Sequence, residues 1–201
     1  IQMENAPDRL RFVLDRPFAH EPGEKWVYNG GATALVGALI EQGTGRTLDA
    51  FAQEALFAPL GMEKHEWTAG NDGTFSAASG LRLTARGLAR IGQLVLEKGQ
   101  AGGRQIAPPS WIQQSTTAKI PMGDGWDYGY QWWLGTAPVR AMDWSEQNWI
   151  AGFGNGGQRL FIMPSTGIVM AALFGNYDKM NSWMFPGRIW WEIVLPGLER
   201  I

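Results

Sequence analysis

The sequence predicts an α+β fold, with helices filling the first part and strands plus a closing helix making up the second. Three observations lead there. The apolar residues Ala32, Leu35, Val36, Leu39 and Ile40 recur at i, i+3, i+4, i+7 and i+8, one face of a helix. From Thr84 to about Lys98, Leu88, Ile91, Leu94 and Val95 share another such face, and Gly99 closes the segment. After about residue 120 the apolar period falls to two, as in strands. Segregated helices and strands are the α+β layout. The expected division is a mostly helical part, residues 1–120, and a part with the strands and closing helix, residues 121–201.

Each element has its own local reason. Pro7, Pro17 and Pro22 keep the first residues to short elements, with a helical turn or two from Asp8 to Leu14. The extended run Lys25-Trp26-Val27-Tyr28 meets Asn29-Gly30-Gly31, where the glycines let the chain turn tightly into a buried helix. That helix ends between Gly43 and Gly45, residues suited to a C-terminal cap. Thr47 is the expected N-cap of a helix from Leu48 to about Leu56, with Asp49 near its positive end. Pro59 and Gly61 terminate it, and residues 62–80 read as loop, with Asn71-Asp72-Gly73 a turn. Beyond the helix that ends near Lys98, Gly102-Gly103 marks a tight connection and Pro108-Pro109-Ser110 starts a short helix, Trp111 to Ser115.

In the second part Tyr128, Tyr130, Trp132 and Leu134 alternate with Gly129, Gln131 and Trp133, which reads as one strand. Gln158 to Met163 and Gly167 to Phe174 are β-rich runs joined by Pro164-Ser165-Thr166, the spacing of an antiparallel hairpin. From about Lys179 to Leu198 the chain reads as helix, with Pro186-Gly187 kinking it or delaying its start.

Composition narrows the function classes. In 201 residues, 45% hydrophobic, there is material for a core in one domain or two small ones. Lys+Arg is 17 against 19 Asp+Glu, net −2, with no basic block, which argues against nucleic acid or an anionic membrane surface as partner. No apolar run is long enough to span a bilayer. With no cysteine, disulfide and thiolate chemistry are excluded. The two histidines are His20 and His65, and His65-Glu66-Trp67 lacks the second histidine of a helical zinc motif, so no metal site is expected. The 11 tryptophans are packing anchors in the main, although tryptophan also lines clefts for organic or sugar-like ligands.

Two stretches carry candidate chemistry. Tyr28 and Asn29 place a phenol and an amide where a loop enters a helix, a rigid edge suited to catalytic groups; the plain alternative is a turn with a packing tyrosine. Gly152-Phe153-Gly154-Asn155-Gly156-Gly157 fits G-x-G-x-x-G, but a dinucleotide fingerprint follows a strand and opens a helix. Here the strand-like, proline-stopped Gln158 to Pro164 follows instead. Asn155, Gly156 and Gly157 are better read as a sheet edge that a substrate can approach closely, or as a plain hairpin turn. Trp132 and Trp133 point to opposite faces, so at most one of them lines a cleft.

Several stretches together resemble the serine β-lactamase and penicillin-binding-protein superfamily, in its class C β-lactamase-like branch of esterases, DD-peptidases and amide hydrolases. They are Glu21-Pro22-Gly23 with Trp26-Val27-Tyr28-Asn29, Leu35-Val36-Gly37 running to Thr44-Gly45, and Leu56 to Met62. Ala78-Ser79-Gly80-Leu81 follows with Thr84 to Gly92, then Tyr128 to Trp133, and last Gly154 to Gln158 leading through Pro164 to Ile168-Val169-Met170. The resemblance covers most of the chain from Pro22 onward and implies a β-lactamase/transpeptidase-like fold. It also implies a mechanism in which a serine and lysine on a Ser-x-x-Lys turn, with a tyrosine from a second motif, form and resolve an acyl-enzyme. A serine hydroxyl is a poor nucleophile at neutral pH, so a lysine or phenolate must take its proton, while backbone N–H groups stabilise the oxyanion. No cofactor is called for.

Carried onto this sequence, the resemblance makes Tyr28 the proton shuttle beside the nucleophile. Asn29, Gly30, Asn155, Gly156 and Gly157 become the substrate and oxyanion side, and Trp132 or Trp133 a candidate for cleft lining. Two departures matter. Tyr28-Asn29-Gly30 stands where the family often has Tyr-Ser-Asn or Tyr-Ala-Asn, so the amide comes one residue early, which weakens lactam recognition. The third motif, usually Lys-Thr-Gly or His-x-Gly, is matched by Gly154-Asn155-Gly156-Gly157, without the cation that would hold a substrate carboxylate. The pattern leans toward an esterase or amidase.

No serine in the chain is followed three residues later by lysine; Ser115 precedes Lys119 by four, and Thr116-Thr117-Ala118-Lys119 has threonine in the serine's place. In the family the Ser-x-x-Lys motif precedes the tyrosine motif by a long segment, which also contributes the first strands of the sheet. The chain opens Ile-Gln-Met-Glu rather than with a start methionine. The expectation is the C-terminal portion of a periplasmic or secreted serine hydrolase, with the nucleophile helix and N-terminal strands in a further segment of the same protein. Its substrate is expected to be a small molecule or peptide-like. The competing expectations are a catalytically inactive penicillin-binding-like module that binds ligands in a tryptophan-lined cleft, and a self-contained domain with an unrelated role.

Overall fold

A computed structural model of the chain describes residues 3–123, 125–179, 181 and 184–198. It divides into two compact units, Ile1–Thr84 and Ala85–Ile201.

The first unit is built on α1 (Arg9–Leu14), α2 (Gly30–Thr44) and α3 (Leu48–Ala52). Asp8 caps α1, its carboxylate accepting from the Arg11 N–H at 2.8 Å. Helix α2 starts at the paired glycines and ends at Gly45 in the left-handed region, φ 66. Its expected burial is corrected: only Ala34 and Gly37 are buried, while Val36 is 48% and Leu39 66% exposed. The reason is close approach. A Cβ on Gly31 would lie 2.9 Å from Val13, and one on Gly37 would lie 3.0 Å from Ala77 and 3.2 Å from Leu48. The neighbours pack on the small-residue face, and part of the bulkier stripe turns outward.

Helix α3 continues as a wider π-helical turn, Gln53–Phe57, which buries Phe57. The Thr47 side chain makes no cap; the Leu48 N–H instead donates to Glu41 Oε1 at 2.8 Å. Part of the segment expected to be loop is strand: β1 (His65–Trp67) pairs antiparallel with β2 (Leu81–Leu83). Three-residue strands are too short to show a period in the sequence. Arg9, 4% exposed, ties α1 to the Asn71-Asp72-Gly73 turn. Its Nε and Nη2 donate to Asp72 at 3.0 and 2.8 Å, and Nη2 also reaches Thr74 Oγ1 at 2.6 Å.

The second unit opens with α4 (Ala85–Leu96), the short pair β3 (Gln100–Ala101) and β4 (Arg104–Gln105), and α5 (Pro109–Ser115). An antiparallel meander of six strands follows, in spatial order β10-β9-β8-β7-β6-β5. These are β5 (Ile120–Gly123), β6 (Trp126–Gly129), β7 (Trp132–Val139), β8 (Ser145–Gly154), β9 (Gln158–Met163) and β10 (Ile168–Ala172). The closing helix starts as α6 (Met184–Arg188), widens through Ile189–Val194 and ends as α7 (Leu195–Gly197), so Pro186 sits in its first turn.

Alternation along the strands makes two cores. One sheet face carries Ala137, Val139, Trp149, Ala151, Phe161 and Met163 against Trp190 and Leu195 of the closing helix, with Phe161 and Trp190 stacked at 4.8 Å. The other carries Leu134, Ile150, Leu160 and Ile162 against Val95 of α4. The run Tyr128 to Leu134 is not one strand. It breaks at Tyr130 (φ 44) and Gln131 (φ 77), the two-residue turn between β6 and β7. Such a turn ordinarily takes Asn-Gly, so a tyrosine and a glutamine disguise it. The expected hairpin across Pro164-Ser165-Thr166 is present as β9 and β10, with Ile168 opposite Met163. No described helix is long and apolar enough to cross a membrane.

Candidate active site

In the first unit the candidate residues lie at the entrance to α2. Asn29 is the N-cap: its backbone is extended (φ −139, ψ 98) and its Oδ1 accepts from the Ala32 N–H at 3.2 Å. That spends the amide oxygen on the helix and leaves Nδ2 as the donor end. Gly30 is helical, 3.8 Å from the Ala78 Cβ by its own would-be Cβ, and so has room. Tyr28 stands one residue before the cap, 62% exposed, with its ring centred 6.5 Å from that of Trp26. A capped helix on one side of the tyrosine fixes the backbone, while more than half of the residue's surface remains open to solvent.

In the second unit Gly154 and Gln158 are paired across the tip of the β8–β9 hairpin, and Asn155, Gly156 and Gly157 make the turn. Only a three-residue 3-10 turn, Asn155–Gly157, stands there and β9 follows at once, so the G-x-G-x-x-G match is a hairpin turn and not the strand-to-helix entry of a dinucleotide cradle. Gly156 (φ 81) and Gly157 (φ 94) are both left-handed and buried, conformations in which a side chain is strained. Arg159 is the cation nearest in sequence, yet it is turned inward. It is 7% exposed, its Nη1 donates to Gly154 O and Gln158 O at 3.0 and 2.7 Å, and its guanidinium lies 4.7 Å over the Phe153 ring. Burial lowers its pKa from the usual arginine value. Its charge braces the turn from behind.

Trp132 packs against the Leu134 and Ile150 core and lies 3.9 Å from where a Gly152 Cβ would be. Trp133, on the opposite face, has its ring centre 5.1 Å from Phe153, 5.6 Å from Tyr128 and 6.1 Å from Trp126. Among the described residues no three His, Asp or Glu side chains gather as a metal-binding group.

Sequence reasoning missed the segment that returns over the turn. Asn155 Nδ2 donates to Asp178 Oδ1 at 3.0 Å, the Asp178 N–H returns to Asn155 Oδ1 at 3.4 Å, and the Asn176 N–H donates to Gly156 O at 3.1 Å. A Cβ on Gly156 would fall 2.7 Å from Tyr177 Cδ1, so the tyrosine ring occupies the space that the missing side chain leaves. The side chain of Gln158 fixes the start of this segment, its Oε1 accepting from the Phe174 N–H at 3.1 Å and its Nε2 donating to Phe174 O.

Comparisons with known proteins follow the same outline. The sequence profile described as Beta-lactamase matches residues 2–180. The curated 6-aminohexanoate-dimer hydrolase of Paenarthrobacter ureafaciens is 25% identical over 185 residues, which is 85% of this chain and 43% of that protein. A solved structure from Bacillus anthracis, provisionally named a 6-aminohexanoate-dimer hydrolase, aligns with TM-score 0.73 at 28% identity, again over 85% of this chain and 43% of that one. The octameric penicillin-binding protein homologue from Pyrococcus abyssi aligns with TM-score 0.72 over 92% of this chain and 48% of that one; at 18% identity this speaks for the fold alone. The chain thus spans under half the length of these relatives, and with a match across residues 2–180 it belongs to the beta-lactamase family.

Proposed function

We propose that the chain is the C-terminal part of a serine hydrolase that cleaves an amide, ester or peptide bond through an acyl-enzyme. The Ser-x-x-Lys nucleophile is supplied from outside these 201 residues. The serine Oγ adds to the substrate carbonyl as its proton passes to the lysine and Tyr28. The proton returns to the leaving amine or alkoxide as the C–N or C–O bond breaks, and water repeats the sequence on the acyl-enzyme to free the acid and restore the serine. The observation that carries this reading is Tyr28: within a beta-lactamase family chain it stands exposed, one residue ahead of a side-chain-capped helix.

The substrate class follows from charge and kinship. The glycine turn offers no outward lysine or histidine, and Arg159 spends its charge on the turn itself, which favours an uncharged group there over a carboxylate. The Paenarthrobacter relative is named for the hydrolysis of a 6-aminohexanoate dimer, an amide, so we place a linear amide first and an ester second. Export to the periplasm or beyond belongs to the same reading.

Covalent labelling tests it. Incubated with a fluorophosphonate or a fluorescent penicillin, the 201-residue chain should carry no adduct on any serine by mass spectrometry, whereas the longer protein should be labelled on a Ser-x-x-Lys serine. An adduct on a serine of this chain would overturn the assignment of the nucleophile.

A further inference from the structure

The segment Gly175 to Asp178 is more than a connection between the last strand and the closing helix. Tyr177 is 58% exposed, yet one edge of its ring is seated against the turn. One edge fills the hollow above Gly156, three hydrogen bonds flank it through Asn155, Asn176 and Asp178, and Gln158 grips the chain at Phe174. Asp178 is itself left-handed, φ 56, a backbone state that aspartate adopts more readily than most non-glycine residues and that lets the chain double back over the turn. A large aromatic side chain whose backbone is tied on both sides, with one ring edge seated and much of its surface in solvent, is suited to a binding wall, since less freedom is lost when a ligand settles on it.

We propose that Tyr177 is a specificity-determining residue that contacts substrate on the Gly154–Gly157 turn, stacking on the uncharged apolar or planar part of the chain beside the scissile bond, with Asn155 and Asp178 as its positioning residues. This rests on the hydrolase reading for its meaning, but not for its test. The reciprocal Asn155–Asp178 pair also accounts for an asparagine at a tip where glycine flanks it on both sides: an aspartate there would set two carboxylates against each other and release the strap.

Two measurements on the full-length protein separate the two readings. In the first, N-butylhexanamide, a neutral amide, is titrated while the backbone amide resonances of Asn176 and Asp178 are followed. They should shift in the wild type, shift in Tyr177→Phe, and stop responding in Tyr177→Ala. This needs no turnover, so a wild type whose resonances do not move overturns the inference whatever its activity. In the second, kcat/KM is compared for 4-nitrophenyl hexanoate and 4-nitrophenyl acetate. Tyr177→Ala should lower the hexanoate-to-acetate ratio about tenfold, the order expected for losing an apolar contact, and Asn155→Ala should lower it by a smaller factor. An unchanged ratio in Tyr177→Ala overturns the inference and leaves the hydrolase standing. Hydrolysis of neither ester by the wild type sinks the hydrolase reading, while the amide titration still decides the binding wall.

Discussion

Tyr28 and Asn29 are neighbours with separable tasks, and single substitutions can tell them apart. Asn29 closes the open end of α2 through Oδ1, so Asn29→Ala should lower stability by about 1 kcal/mol, the usual loss for an N-cap, and Asn29→Asp should largely restore it. Urea unfolding measures both; an Asn29→Ala variant as stable as the wild type would remove the cap from the argument. Tyr28 precedes the cap and is 62% exposed. In the longer protein Tyr28→Phe should slow acylation by roughly 10²–10⁴-fold, the range of a lost proton-transfer group. Single-turnover acylation with a chromogenic ester is the measurement, and normal acylation would take Tyr28 out of the mechanism. At Gly31 the limit is space: a Cβ 2.9 Å from a Val13 methyl and 3.1 Å from Asn29 Oδ1 means Gly31→Ala must displace the Val13 side chain and crowd the cap, at a loss of about 1–3 kcal/mol in urea unfolding.

Among the elements, the tie between α1 and the turn at Asp72 is the most consequential that pattern reading could not foresee. Arg9 and Asp72 are both largely buried, at 4% and 15% side-chain exposure. Breaking such a pair leaves a charge without its partner, so Arg9→Ala should cost about 3 kcal/mol. The hydrogen bonds from Arg9, first among the causes, hold the Asp72 carboxyl well below the usual carboxylate range. The folded state therefore takes up this proton less readily than the unfolded chain. The contribution is whole above the ordinary carboxylate pKa near 4 and is lost as the pH falls below it. Asp72→Asn should flatten that acid limb in urea midpoints measured from neutral pH down to about pH 3. Local pattern made other elements readable: the face of α4, and the β9–β10 hairpin with its Pro164-Ser165-Thr166 turn. It failed where the determinant was remote or atypical. Tyr130-Gln131 turns without a glycine, and Asn155 meets Asp178 across 23 residues with no periodicity to betray it. The candidate site shares this limit: its turn residues stand out in the sequence, whereas the strap over them does not.

At the scale of the whole molecule the sheet has two outer strands, β5 and β10, and they are not alike. Strand β5 contains Pro121 and a register shift between Pro121 and Gly123, both of which blunt an edge against further pairing. Strand β10 is Ile168-Val169-Met170-Ala171-Ala172, without proline, charge or bulge, and all five residues are only partly buried. An apolar, regular outer strand is a template for another strand, and relatives that share this fold are more than twice as long as the stretch they share with the chain. The 201 residues on their own should therefore associate as concentration rises, with β10 as the contact. Sedimentation velocity reads the association, and hydrogen exchange should show the β10 amides that β9 does not engage becoming protected as it proceeds. Leu173→Lys, at a site 41% exposed just past the strand, should weaken association without unfolding the sheet, because a charge beside the edge opposes its desolvation. In the longer protein those β10 amides should be slow to exchange at every concentration, as expected if further chain already pairs with them. A chain that stays monomeric with fast-exchanging β10 amides at high concentration would show that this edge is protected by its own twist and side chains, and would remove the structural reason for placing further strands beside it.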